Sequence, residues 1–439
     1  MSDPKPVKGI MTRLSALMFM EWGVKGLWVP LAGIFLVTET SMGGLGFTET
    51  QKGMIIGLPM AVACFIAPFL GGQLTDRLFP TQKVIAVMLV GTGILMWFTA
   101  DQTGFSIWMT LCIAFTILYV PTNALVNSLA MEHLSDPKNQ FPKIRLWGTI
   151  GWIAVSWIFP MIWLQENLRF QLLPPFLKGD EVPMVTARMV ESLKFGGGLA
   201  VILGFYCWFV LPNTPPQKEA GDKLAWVAGL KLFKKRSFSV LMIMALPVSI
   251  LQVFYMMNTA PFLKEGGLQG SMVMPAMSLG QFSEIAALAF LGVLLTKLGF
   301  RTIMTIGIFC YALRYFIFGI PGVPVEVLVA VQLMHGLSFG CFYASAFIYV
   351  QRISPRGVHN TAQTLFIFVM FGLAPLIAGY WLNGWLADLC GAPNGVHNLD
   401  SYVRFWRITS VGGIISAALF WIFFRDETED PETSPTAKA

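Results

Sequence analysis

Glu284 stands three residues after Gln281 in an otherwise apolar run, and on a helix that spacing puts an amide and a carboxylate on one face. Together they can make directional hydrogen bonds to sugar hydroxyls or to the edge of a planar base. A carboxylate in a low-dielectric cavity can also load a proton near neutral pH, because burial disfavours the charged form. Gln252, Tyr255 and Asn258 recur at intervals of three and project to one side of a helix. A ring among amides suits a planar, polar ligand; Asn258 can equally cap a helix break before Pro261. Arg145 and Thr149 are four apart on one face, as are Glu21 and Lys25. His335 titrates in the physiological range and can carry a proton, or it can simply be hydrogen-bonded. Plainer readings stand beside these. Glu284 can pair with Arg314, Arg145 can anchor a helix end, and Glu21 can be neutralised by Lys25 or form with it a proton-linked switch. No nucleophile–base pair, metal-spaced cluster or phosphate loop accompanies them. The expected chemistry is therefore binding and proton movement, with no enzyme activity, no cofactor and no metal.

The elements that carry these residues are apolar. Of 439 residues 55% are hydrophobic and only 12% charged, about half the charged fraction of soluble domains. A fold of this size could not hide so much apolar surface from water, so the expected solvent is a bilayer. The net charge of +6 does not point to nucleic acid, because the basic residues fall in short loops between apolar runs. The six cysteines lack metal or redox spacing and read as small packing residues. The N-terminus shows no removable signal peptide.

A membrane-crossing helix needs about 20 mostly apolar residues. Twelve candidates appear, over 12–38, 53–74, 83–100, 105–131, 143–165, 192–212, 238–263, 274–297, 301–320, 324–350, 358–384 and 402–424. Lys and Arg crowd into alternate loops, which predicts cytoplasmic termini. The Pro-containing, then basic stretch 213–237 divides the spans into an N-terminal bundle, 1–212, and a C-terminal bundle, 238–425. Its part from Leu224 to Lys235 is apolar on one side and suits the membrane surface. The acidic tail 426–439 reads as disordered, and the loop 166–191 as a small extracellular cap without assigned function. The halves echo each other in their second inner loops, GGQLTDRLFPTQK and GVLLTKLGFRT. The expected fold is all-α: twelve transmembrane helices in two pseudo-symmetric six-helix bundles. Duplicated halves place a transporter's substrate site near the midplane between them.

Gly72, Asp76, Arg77 and Lys83 resemble the loop signature of the major facilitator superfamily, with Phe79 and Pro80 departing from it. A sharper resemblance is to the bacterial nucleoside:proton symporter family. It is carried by Phe141–Gly151, by Tyr119-Val120-Pro121-Thr122 with Asn127, by Gln281-Phe282-Ser283-Glu284, by Leu313-Arg314-Tyr315-Phe316 and by 350–363. The resemblance implies gating by Gly72, Asp76 and Arg77, nucleoside contact by Arg145 and Thr149, and stacking of Phe339 on the base. The chain departs from the family at Tyr255, where an asparagine is usual, at His335 for a tyrosine, and at Gly340 for an acidic residue. Glu21 and Lys25 also replace an amide and an aromatic.

These readings converge on proton-coupled nucleoside uptake by alternating access across a bacterial inner membrane. The expected substrate-binding residues are Arg145, Thr149, Gln252, Tyr255, Gln281, Glu284, His335 and Phe339, with Glu284 and Glu21 as proton-coupling residues. Protons, a small-molecule substrate and lipid are the expected partners, without nucleic acid, and the chain is expected to be a monomer. The nearest alternative is a carrier of another polar solute, such as a sugar or sugar derivative; a more distant one is a non-transporting membrane sensor.

Overall fold

A computed structural model of the protein describes residues 9–67, 79–172, 177–215, 231–354 and 359–426. Nearly all of these are helical. Among them, ten helices are long and apolar enough to cross a membrane. The longest, Gly270–Phe318, contains Gly299 with φ 75° and ψ 166°, a non-helical conformation. Glycine adopts positive φ without a Cβ penalty, so the chain turns there between two apolar stretches. The helix α1, Ile10–Phe35, is 26 residues long but carries Arg13, Glu21 and Lys25, which set it apart from the ten.

The surface of these helices is apolar. Phe209, Ile162, Ile243 and Phe290 are each at least 64% exposed. Large unpaired apolar side chains in such number are stable against acyl chains rather than water. The motif residues Gly72, Asp76 and Arg77, most of the surface stretch 224–235, and the tail from 427 onward lie outside the described residues.

The chain divides into two compact units. The first comprises Met1–Phe47, Leu58–Ala220 and Gln269–Pro275; the second comprises Thr48–Gly57, Gly221–Leu268 and Ala276–Ala439. In the first, α1 packs with helices Thr81–Ala100, Phe105–Glu132, Pro137–Phe159 and Ser192–Phe209 around a core that includes Leu14, Leu17, Ile85, Leu129, Ile144 and Leu203. The run Gly196–Gly198 lets helices approach closely, as small residues do in membranes. A Cβ on Gly197 would lie 2.6 Å from the carbonyl oxygen of Gly93.

Three expectations are corrected. The second apolar helix begins at Glu49, not 53, so Lys52 belongs to a helix rather than to a loop. The loop 166–191 includes an antiparallel hairpin of β1, Gln165–Phe170, and β2, Leu177–Glu181, followed by a short helix, Val185–Val190. Asn258 does not cap a helix break, because helix Arg236–Glu265 continues through both Pro247 and Pro261.

Candidate functional site

The predicted residues fall into two groups, one in each unit. In the first unit, helix Pro137–Phe159 starts with Asp136 as N-cap, its carboxylate accepting from the Asn139 N–H, and with Pro137 in the first turn. Both are strong helix-start residues. Two turns later the guanidinium of Arg145 lies 4.0 Å from the centre of the Trp22 ring. Gly148 and Gly151 make that stacking possible. A Cβ on Gly151 would run into the carbonyl of Phe19, and one on Gly148 into the Trp22 ring, so α1 and this helix touch nearly backbone to backbone. Thr149 is half-buried beside them.

Glu21 is buried in the same unit. Its Oε1 accepts a hydrogen bond from Thr122 Oγ1 at 2.7 Å, while among the described residues its Oε2 has no hydrogen-bond partner. Tyr119 Oη donates to the Glu21 carbonyl at 2.6 Å. A threonine and a tyrosine of helix Phe105–Glu132 hydrogen-bond Glu21, while Lys25 acts on its carboxylate through charge.

The second unit gathers an aromatic and polar group. Helix Arg236–Glu265 presents Gln252 and Tyr255, and helix Val325–Ile353 presents His335 and Phe339. Tyr255 and His335 stack at 4.5 Å and 16°. Phe339 lies 6.3 Å from His335 and 5.1 Å from Tyr343. Phe339 also opens a π-helical segment, Phe339–Ala344. Such insertions re-aim side chains and are frequent at functional sites. Tyr255 Oη donates to Gln332 Oε1 at 2.9 Å, and Tyr311 Oη donates to Gln252 Oε1 at 2.6 Å. The Gln281 amide turns back onto the carbonyls of Ser278 and Met277, 3.2 Å away. Glu284 is half-buried where its own helix crosses Gly336, and a Cβ at Gly336 would collide with the Glu284 backbone nitrogen.

Arg314 occupies the centre of this group. It is fully buried, and its guanidinium lies 4.0 Å from the ring centre of Tyr255, 5.2 Å from that of Tyr315 and 5.3 Å from that of Tyr311. The anticipated partner Glu284 is not what holds it. Its Nη2 is 3.5 Å from Tyr315 Oη, and among the described residues its Nε and Nη1 have no hydrogen-bond partner. Each desolvated cation–π contact is worth about 2 kcal/mol, so the rings offset part of the several kcal/mol that removing an ion from water costs, but they leave its N–H edges unsatisfied.

A second polar cluster in this unit escaped sequence reasoning. Lys52 Nζ lies 2.5 Å from Glu49 Oε2 and donates to Asn258 Oδ1 at 2.7 Å. Asn258 Nδ2 donates to Asn383 Oδ1 at 2.9 Å, and Asn383 Nδ2 returns to the Glu49 carbonyl at 2.8 Å. Tyr402 Oη reaches Glu49 Oε1 at 3.5 Å. His397 packs on the Tyr402 ring at 4.5 Å, and burial pushes its imidazole down to about 4, opposed by the Glu49 carboxylate. The signal was the Glu49–Lys52 spacing of three, hidden because the stretch reads as a loop.

Residues 8–429 match the family model described as nucleoside H+ symporter. The chain is 30% identical over 428 residues to a putative nucleoside transporter, YegT, of Escherichia coli, covering 95% of this chain and 94% of that one. It is 22% identical to the xanthosine permease of the same organism, covering 96% and 97%. Among solved structures it superposes on the nucleoside transporter NupG with a TM-score of 0.79 at 20% identity, over 95% of this chain and all of that one. It also resembles a D-xylose–proton symporter, with a TM-score of 0.67 at 13% identity over 95% and 98%. The fold is of major facilitator type. With a family match running almost from end to end, on a helical frame that carries polar residues into its spans, the chain belongs to the nucleoside H+ symporter family.

Proposed function

We propose that this protein is a proton-coupled nucleoside importer of a bacterial inner membrane, monomeric, with both termini in the cytoplasm. The family match across 8–429 carries the reading. The names of the relatives YegT, xanthosine permease and NupG support a nucleoside as substrate. On this reading the chain crosses the bilayer twelve times. The ten long apolar helices supply ten of these; α1 adds one, and the break at Gly299 divides Gly270–Phe318 into two. Two six-helix bundles, 1–212 and 238–425, joined by 213–237, then alternate access to the substrate. Gln252, Tyr255, His335 and Phe339 form a wall for a planar base, and Arg145 and Thr149 are further substrate-binding residues. Gln281 and Glu284 contribute on release from their present helix contacts. Glu284 and Glu21 carry the proton, with Gly72, Asp76 and Arg77 as gating residues.

The test is transport by the purified full chain in proteoliposomes. An inward proton gradient is expected to drive accumulation of labelled uridine or adenosine, and a protonophore to abolish it. A well-folded preparation that moves none of a nucleoside panel would remove the substrate assignment. A carrier of a sugar or sugar derivative is the second reading. The stacking of Tyr255 on His335 favours it, because both positions depart from the family's usual residues and each ring already has a partner. Competition of uptake by sugars but not by nucleosides would establish it.

A further inference from the structure

Arg314 has the burial and the surroundings of a ligand-recognising cation. It is 0% exposed, yet among the described residues two of its three guanidinium nitrogens, Nε and Nη1, have no hydrogen-bond partner. The groups facing it are Tyr255, Tyr311, Tyr315 and His335, drawn from three helical stretches, and none of these supplies a negative charge at neutral pH. Next to Phe339 helix Val325–Ile353 carries Gly340, which brings no acid, and a Cβ there would lie 3.0 Å from the Cβ of Ala287. The Tyr255 ring has Arg314 at 4.0 Å and His335 in near-parallel stacking at 4.5 Å, so at these separations the two occupy opposite faces. Tyrosine rings orient and partly solvate a guanidinium, but they leave its hydrogen-bonding edges open and its charge uncompensated. A buried charge left in this way is stabilised by whatever anion reaches it.

We infer that Arg314 is the anion-recognition residue of the ligand site, and that the preferred substrate is a nucleoside whose planar base carries a delocalised negative charge, as a carboxylate or a deprotonated imide. The inference rests on the nucleoside reading for the sugar and on the geometry around Arg314 for the charge. An aromatic anion suits this place because, once Tyr255 moves aside, one flat group can stack on His335 or Phe339 while its oxygens accept from Nε or Nη1. Entry requires Tyr255 to give way, and its hydroxyl is held by one hydrogen bond, to Gln332.

Calorimetric titration of the full chain in detergent micelles tests the proposal with matched pairs: 5-carboxyuridine against uridine, and xanthosine against guanosine, at pH 7.5. The anionic member of each pair is expected to bind at least tenfold more tightly. For xanthosine, whose base gains a proton in acid, the advantage should shrink at pH 5. Arg314→Met should erase the advantage and Arg314→Lys should keep part of it. Equal affinity within both pairs for the unmodified protein overturns the anion site while leaving the nucleoside reading intact, and this comparison needs no variant to fold. If no nucleoside binds, but benzoate binds and loses at least tenfold affinity in Arg314→Met, the anion site stands and the nucleoside reading falls. Binding of neither class overturns both.

Discussion

Glu284 and Arg314 carry opposite charges in apolar helices, and the simplest economy would be to pair them. The structure gives Arg314 three tyrosine rings instead, and leaves Glu284 half-buried at a helix crossing. A buried guanidinium surrounded by rings keeps hydrogen-bonding edges that a ligand anion can use. Glu284→Gln keeps the shape and the hydrogen-bonding capacity but removes the exchangeable proton. It is expected to cut gradient-driven uptake by at least tenfold while the melting temperature stays within a few degrees. Normal pH-dependent accumulation by that variant would take Glu284 out of the proton path. Both residues could be singled out in the sequence, because a charge inserted among some 20 apolar neighbours is expensive and conspicuous. The tyrosine cage could not. Tyr255 lies 59 positions from Arg314 in the chain, and only the packing of helices makes them neighbours.

Between elements, the close crossing of the eighth and tenth apolar stretches depends on glycine. Gly336 fits against the backbone of Glu284 and Gly280, and Gly280 fits against His335. In a membrane, where lipid is as apolar as leucine, such close approach supplies much of the association between helices. Gly336→Ala forces backbone from backbone and should cost about 1–3 kcal/mol, as overpacking does. The cost is readable as a lowered unfolding temperature in micelles, with uptake impaired in parallel. Gly340→Ala meets only the Ala287 side chain, at 3.0 Å, and should be milder. Equal losses at the two positions would show that the crossing does not depend on the Gly336 contact. The helices themselves were legible from apolar run length, including the long fourth span, read as 105–131 and observed as Phe105–Glu132. The hairpin Gln165–Glu181 was not legible, since its strands pair through backbone groups that leave little trace in polarity.

At the scale of the whole molecule, the buried cluster of Glu49, Lys52, Asn258 and Asn383 is assembled from three distant parts of the chain, all within the second compact unit. Residues 48–57 belong to that unit although the rest of their helix, from Leu58, belongs to the first. Removing one member of a buried ion pair leaves the other uncompensated, which typically costs about 3–5 kcal/mol. Lys52→Met should therefore destabilise strongly, and Glu49→Gln added to it should restore much of the loss. Unfolding of the single and double variants in micelles gives the coupling directly. If the double variant is no better than Lys52→Met alone, the pair acts as independent polar anchors rather than as a unit.

Composition and run length, read without any coordinates, determined that this is a membrane protein of apolar helices, because a bilayer constrains segment length and polarity residue by residue along the chain. Family motifs, being local strings, were equally visible. The tertiary structure alone decided which polar groups meet. It added Thr122 as the hydrogen-bonding partner of Glu21, gave Asn258 to Lys52 rather than to a helix break, and surrounded Arg314 with three aromatic rings. Partnership inside a bundle depends on which faces of non-adjacent helices come together, and helical spacing specifies a face without specifying what it faces.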